Sequence, residues 1–178
     1  MSALGNELGL SWGLPQLILL FVAAQRIVEL EIARQNAAEL MARGGAEMGS
    51  GHYPFFVVLH AAWLLAMFLL VPADAPVLYW LIGLFALLQL GRIWVIASLG
   101  RYWTTRVITL PDEPLVRRGP YRFMKHPNYF VVTLEIAVLP LAFGAWELAL
   151  VFSVLNGLLL WHRLKVENAA LEPRKEIT

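Results

Sequence analysis

The chain has 178 residues, 59% hydrophobic and 15% charged, with a mean hydropathy of +0.63. A soluble domain of this length is about 45–50% apolar, so lipid is the expected solvent for much of the chain. The absence of cysteine excludes disulfides, thiolate nucleophiles and Cys-based zinc sites. The histidines, His52, His60, His126 and His162, form no HxxxH or HExxH pair, so no metal site is expected. The net charge of +1 says little as a total, while its distribution says more. No nucleic-acid partner is expected.

Five apolar segments follow in chain order. The first runs from about Leu14 to Leu30 and continues as a charged helix through Glu31, Arg34 and Glu39. No positive region precedes it, so it does not read as a cleaved signal peptide. The second is Pro54 to Val71, with His60; the third is Pro76 to Leu99, with Gln89 and Arg92. The fourth is Asn128 to Phe143, with Glu135, and the fifth is Ala145 to Trp161, with Asn156. A bilayer leaves no water for the backbone, so each segment is expected to be an α-helix. The last two, joined around Gly144, read as a tight helical hairpin, with Pro140 kinking or ending the fourth. The expected fold is an all-α polytopic membrane bundle of about five transmembrane helices. It reads as one integral membrane domain over 1–178: three spans in 1–100, a basic loop in 101–127, and the hairpin and tail in 128–178.

Lys and Arg set the expected orientation. The tail before Leu14 and the turns at Pro72–Ala75 and Gly144 carry none. The loop after the first helix carries Arg34 and Arg43, and the loop Arg101–Lys125 carries Arg101, Arg106, Arg117, Arg118, Arg122 and Lys125. The tail carries Arg163, Lys165, Arg174 and Lys175. Five spans with the N-terminus outside put these regions on one side, read as the cytoplasmic face of a bacterial inner membrane.

The loop before the fourth span is the candidate site. Its prolines exclude a long helix, yet Trp103, Val107, Ile108, Leu110, Leu115, Val116, Tyr121 and Phe123 make it apolar enough to pack on the helix ends. His126-Pro127 would start the fourth helix and hold an imidazole at its N-terminus. Read alone, this is either a helix start with a satisfied histidine or a ligand site. Arg163 and Glu167, spaced i, i+4, are either a surface ion pair or a polar stripe beside the loop, with Asn156 two turns earlier. Glu135 must be protonated, paired or facing a cavity, with Arg92 and His60 as possible partners; as a role, base, substrate anchor and structural pair stay open. Gln89 and Asn156 are expected to bond helices together.

Gly119-Pro120-Tyr121, then Lys125-His126-Pro127-Asn128-Tyr129, then Arg163-x-x-x-Glu167-Asn168-x-x-Leu171 resembles the isoprenylcysteine carboxyl methyltransferase family. That family shows G-x-Y, R-H-P-x-Y and, after a helical hairpin, R-x-x-x-E-E-x-x-L. The resemblance covers about Arg101 to Leu171 and leaves the first two spans without a motif. It implies an integral membrane methyltransferase using S-adenosylmethionine in a cytoplasm-facing pocket, acting on a lipophilic acceptor among membrane lipids. By position, it implies cofactor contacts from Leu115, Val116, Gly119, Tyr121, His126, Pro127, Tyr129, Glu167 and Asn168. Arg163, Lys125 and Glu135 are the expected catalytic residues. Two positions depart from the pattern: Lys125 replaces the arginine before His-Pro, losing a bidentate fork, and Asn168 replaces the second acid. The run Gly100–Ile108 is closer to a small bacterial branch associated with O-methylation of alkylpyrones and phenolic lipids. The expected reaction is O-methylation of a carboxylate or acidic hydroxyl. A phospholipid N-methyltransferase and a non-catalytic subunit binding anionic lipid heads are the alternatives.

Overall fold

The computed structural model describes residues 12–49, 51, 53–110, 113 and 116–171, the last three for backbone only. Five α-helices dominate: α1 (Leu14–Ala42), α2 (Tyr53–Leu70), α3 (Tyr79–Leu99), α4 (Pro127–Ala142) and α5 (Trp146–Leu171). This is an all-α membrane bundle. The stretches Tyr53–Leu70, Tyr79–Tyr102 and Trp146–Asn168 are long and apolar enough to cross a bilayer. The second half of α1 is charged, and α4, at 16 residues, is shorter than a full span.

Local chemistry sets the helix ends. Pro15 occupies the first turn of α1, where a missing N–H is harmless. Gln16 accepts from the Gly13 N–H at 3.2 Å and donates 2.8 Å to the Val71 carbonyl, tying the start of α1 to the end of α2. Pro127 is the first residue of α4, with His126 as its cap. Pro140 lies inside α4, and the helix ends two residues later at Ala142. Gly144, at φ 72°, turns the chain into α5.

Two short strands, β1 (Ala46–Met48) and β2 (Val107–Thr109), pair antiparallel with Glu47 opposite Ile108. The sequence reading contained no strand. This ribbon joins the loop after α1 to the loop after α3. At that same end, Asn36 of α1 donates to the carbonyls of Trp103 (2.7 Å) and Gly100 (3.2 Å).

The apolar core is built from Val22, Trp63, Met67, Phe85, Ile136, Leu139 and Phe152, contributed by every helix. Burying a side chain of this size is worth about 1.5–3 kcal/mol where water is the alternative. Against lipid, close packing and polar contacts matter more. Phe21, Leu70, Leu87, Leu90 and Trp161 point outward and are more than 60% exposed, as a lipid-facing surface requires.

The helices are also pinned by a buried charge cluster. Arg92 of α3 forks both oxygens of Glu135 in α4, with Nε to Oε1 at 2.9 Å. Arg26 of α1 reaches Glu135 at 3.2 Å and Glu29 at 2.6 Å, and Arg92 reaches Glu29 at 3.2 Å. Gln89 donates 2.8 Å to Glu135 and accepts 2.7 Å from Gln25. Two arginines thus meet two glutamates and the cluster is neutral. His60, one expected partner of Glu135, instead puts Nδ1 2.8 Å from the Phe56 carbonyl. The amide of Asn156 is fully buried and has no hydrogen-bond partner among the described residues, contrary to its expected helix-bridging role.

Candidate active site

At the basic end of the bundle the loops roof a cavity of about 390 Å³. Its walls come from Leu40 of α1, the β2 segment, Trp103, Val116, Arg117 and Tyr121 of the long loop, and Lys125, His126, Asn128 and Tyr129 at the start of α4. Arg163, Glu167 and Asn168 close it from α5. This volume lies within the range typical of small-molecule sites.

The chain reaches this geometry through a few backbone devices. Gly100 ends α3 at φ 56°. Gly119 opens a 3₁₀ turn, Gly119–Arg122, also at φ 56°. A Cβ at Gly119 would lie 2.0 Å from the Ser98 hydroxyl, so only glycine lets this turn dock on α3. The turn places Tyr121 against Ala33, Val95 and Trp103. Pro127 then fixes the helix start, and His126 and Tyr129 stack with ring centroids 5.3 Å apart.

Tyr129 is the hub. Its hydroxyl donates a short hydrogen bond to Glu167 and accepts one from Arg163 Nε at 2.7 Å. His126 Nδ1 lies 3.4 Å from the other Glu167 oxygen, and its Nε2 lies 3.3 Å from Asn168 Oδ1. The Arg163 guanidinium rests on the rings of Phe56 (5.1 Å) and Tyr129 (5.5 Å) and is 8% exposed. Arg163 and Glu167, adjacent on α5, therefore meet through Tyr129 across the cavity floor. Asn128 Oδ1 is buried beside them with no partner among the described residues.

The hydrogen bond to Glu167 raises the His126 pKa above its ordinary value, against burial, which lowers it. Only the imidazolium can donate to Glu167 and Asn168 together. Burial, then the Glu167 charge, push the Tyr121 phenol up, so it stays protonated. A raised folded pKa adds stability that is fully present below about pH 6.5 and is lost as pH rises through the folded value. Thermal unfolding from acid to mildly alkaline pH is expected to show wild type losing its advantage over His126→Ala in that window. Parallel curves for the two proteins would refute the pairing.

Of the sequence-expected residues, Lys125, Val116, Tyr121, His126, Tyr129, Arg163, Glu167 and Asn168 line one cavity. Gly119 and Pro127, expected at the cofactor, are not among the lining residues; they set the turn and the helix start that carry Tyr121 and Tyr129. Glu135 is not among the lining residues; it is held in the charge cluster deeper in the bundle. Leu115 lies outside the described residues. The sequence reading missed Leu40, Thr104 and Glu113 in the walls. Glu113 is held by Arg43 and by the Tyr102 hydroxyl at 2.9 Å. No local pattern links these residues, since α1 and the long loop meet only in the fold.

The apolar helices mark a membrane protein, and a cavity of mixed polar and apolar lining lies at its basic end. The sequence profile of the isoprenylcysteine carboxyl methyltransferase (ICMT) family matches residues 81–173. The relatives found are bacterial. YpbQ of Bacillus subtilis, an uncharacterized protein, is 37% identical over 161 residues, covering 88% of this chain and 95% of its own. An uncharacterized protein of Haemophilus influenzae is 28% identical over 159 residues, covering 84% and 90%. No solved structure matches. The chain belongs to the isoprenylcysteine carboxyl methyltransferase family.

Proposed function

We propose that the protein transfers a methyl group from S-adenosylmethionine to an acidic oxygen on a lipophilic acceptor, at the basic end of the bundle. The family supports a membrane methyltransferase. The cavity's donor set supports the cofactor. Glu167 offers a carboxylate to a cationic ligand, and the unpartnered Asn128 Oδ1 offers an acceptor for an N–H group. Tyr121, Trp103, Val116 and Leu40 offer flat and apolar walls for a purine. When bound, the cofactor supplies an electrophilic methyl on a sulfonium. His126, Tyr129, Glu167 and Asn168 would hold it, Gly119 and Pro127 would shape the rim, and Leu115 and Val116 would flank the adenosine.

The observation that carries the acceptor class is a cationic lining with no free carboxylate among the described residues. Arg106, Arg117, Lys125 and Arg163 face the cavity. Its two described carboxylates are both engaged, Glu113 by Arg43 and Glu167 by Tyr129 and His126. Tyr121 stays protonated. Such a site suits a nucleophile that is already ionised, a carboxylate or an acidic enol or phenol, held by Arg163 and Lys125. It disfavours an amine, which needs a base and arrives as a repelled ammonium. Glu135, bound to two arginines, serves in this reading to hold the helices in register. Positioning alone can supply several kcal/mol of a displacement barrier, so alignment is the main task left to the protein.

The charge distribution supports a bacterial inner-membrane location, with the N-terminus outside and the C-terminus cytoplasmic. The chain then works as one domain, 1–178, with the loop 101–127 over the hairpin. Methyl-labelled cofactor offered with purified protein and a bacterial lipid extract tests the reading. A labelled ester or acidic-oxygen ether is expected. A labelled amine would move the protein to phospholipid N-methylation, and no cofactor binding at all would remove the methyltransferase reading.

A further inference from the structure

A second cavity, of about 470 Å³, adjoins the first at the end of α3. Tyr102, Glu113, Val116 and Arg117 form a wall common to both. Arg101, Arg117 and Arg118 converge on it. Arg118 is pinned by its Nε, which donates 2.6 Å to the Ser98 carbonyl, and it lines the cavity with no ion pair among the described residues. Arg101 has Glu39 only at 3.8 Å. Arg117 has no ion pair among the described residues. The carboxylate present, Glu113, is already engaged by Arg43 and Tyr102.

This cationic excess exceeds what the first cavity asks for. The cofactor proposed there has a single anionic group, a carboxylate, and Arg106, Lys125 and Arg163 already face that space. Convergent guanidiniums match a ligand with several anionic oxygens. The position says where it comes from. Trp94, half exposed one turn before Ser98, has its Nε1 against Gly119. Leu90 and Ile93 continue an exposed apolar face down α3. Tryptophan at such a boundary marks the membrane interface. A ligand in this cavity would keep its head among the arginines and its chains along α3.

We propose that this cavity binds the phosphate head of an anionic phospholipid from the leaflet on the basic side. The bound lipid would brace the wall shared with the first cavity. The count of surplus cations rests on the methyltransferase reading of the first cavity, while the lipid measurement needs no cofactor.

The test uses the full-length protein in detergent, with short-chain phosphatidylglycerol and phosphatidylcholine as probes, scored as retained lipid by native mass spectrometry. Phosphatidylglycerol is expected to be preferred, and the preference to fall roughly fivefold for each arginine charge removed. Arg101→Ala combined with Arg118→Gln is the first variant; Arg118→Gln alone serves if the pair does not fold. Arg122→Ala, on the same loop but outside both cavities, is expected to keep the preference. Equal retention of the two lipids would overturn the site, as would an unchanged preference in the cavity variants. An equal loss in Arg122→Ala would mean diffuse surface charge and would also overturn it. If millimolar inorganic phosphate displaced the lipid completely, the site would be one for a soluble anion, and the lipid assignment would be wrong.

Discussion

Arg92→Ala or Glu135→Ala, made singly, is expected to remove about 3–5 kcal/mol of stability, the cost of leaving one buried charge without its partner. A large fraction of a typical folding free energy would then be gone. Arg92 and Glu135 are each less than 6% exposed at the side chain, and Glu135 also answers Arg26 and Gln89. Removing Glu135 leaves Arg26 and Arg92 facing each other with only Glu29 between them. Replacing Arg26, Glu29, Arg92 and Glu135 together by apolar residues of similar volume is expected to come much closer to neutral, because no charge is stranded. Unfolding in mild detergent measures both. Single variants losing less than about 1 kcal/mol, the range of exposed pairs, would mean that water reaches the cluster.

That cluster also shows what was legible in the sequence. The apolar runs gave the starts of the five helices and the ends of α2, α3 and α4 to within three residues, because a bilayer leaves the backbone no other choice, while α5 runs ten residues past its apolar run to Leu171. Pro127 and Gly144 marked a start and a turn through their own backbone limits. His126, Tyr129, Arg163 and Glu167 were readable because motif spacing places them at the ends of helices that a short hairpin makes neighbours. Arg92 was readable as a partner of Glu135, and the two are paired in the structure; that Arg26 and Glu29 join them was not readable. Glu29, three residues from Arg26, completes the balance, but nothing local says that α1 packs beside α3 and α4. His60 looked equally suited to Glu135 and is satisfied by its own helix. The ribbon was invisible for another reason. Its strands are three residues each and lie about sixty residues apart, so neither carries an alternating pattern of useful length. Asn36 and Leu40, which brace and wall the site from α1, share this long-range character.

Glu167→Ala is expected to weaken S-adenosylmethionine binding by roughly 100-fold or more, the order expected when one partner of a buried charged pair is cut away. Glu167 is the point where the site's donors converge: Tyr129, which is itself fixed by Arg163, and His126, which also touches Asn168. Without the carboxylate, His126 and Arg163 leave the floor net positive, and a ligand carrying a sulfonium and an ammonium is repelled where it was held. Glu167→Gln separates charge from shape. It keeps an oxygen for the Tyr129 hydroxyl but loses the charge, so its affinity is expected to fall nearly as far as that of the alanine variant, while its thermal midpoint stays closer to wild type. Calorimetric titration of the cofactor into each purified variant makes the comparison. A glutamine variant that binds as tightly as wild type would reduce Glu167 to a scaffold for Tyr129. The cation would then have to be held by another group in the cavity, with Glu113 the remaining described carboxylate in its walls.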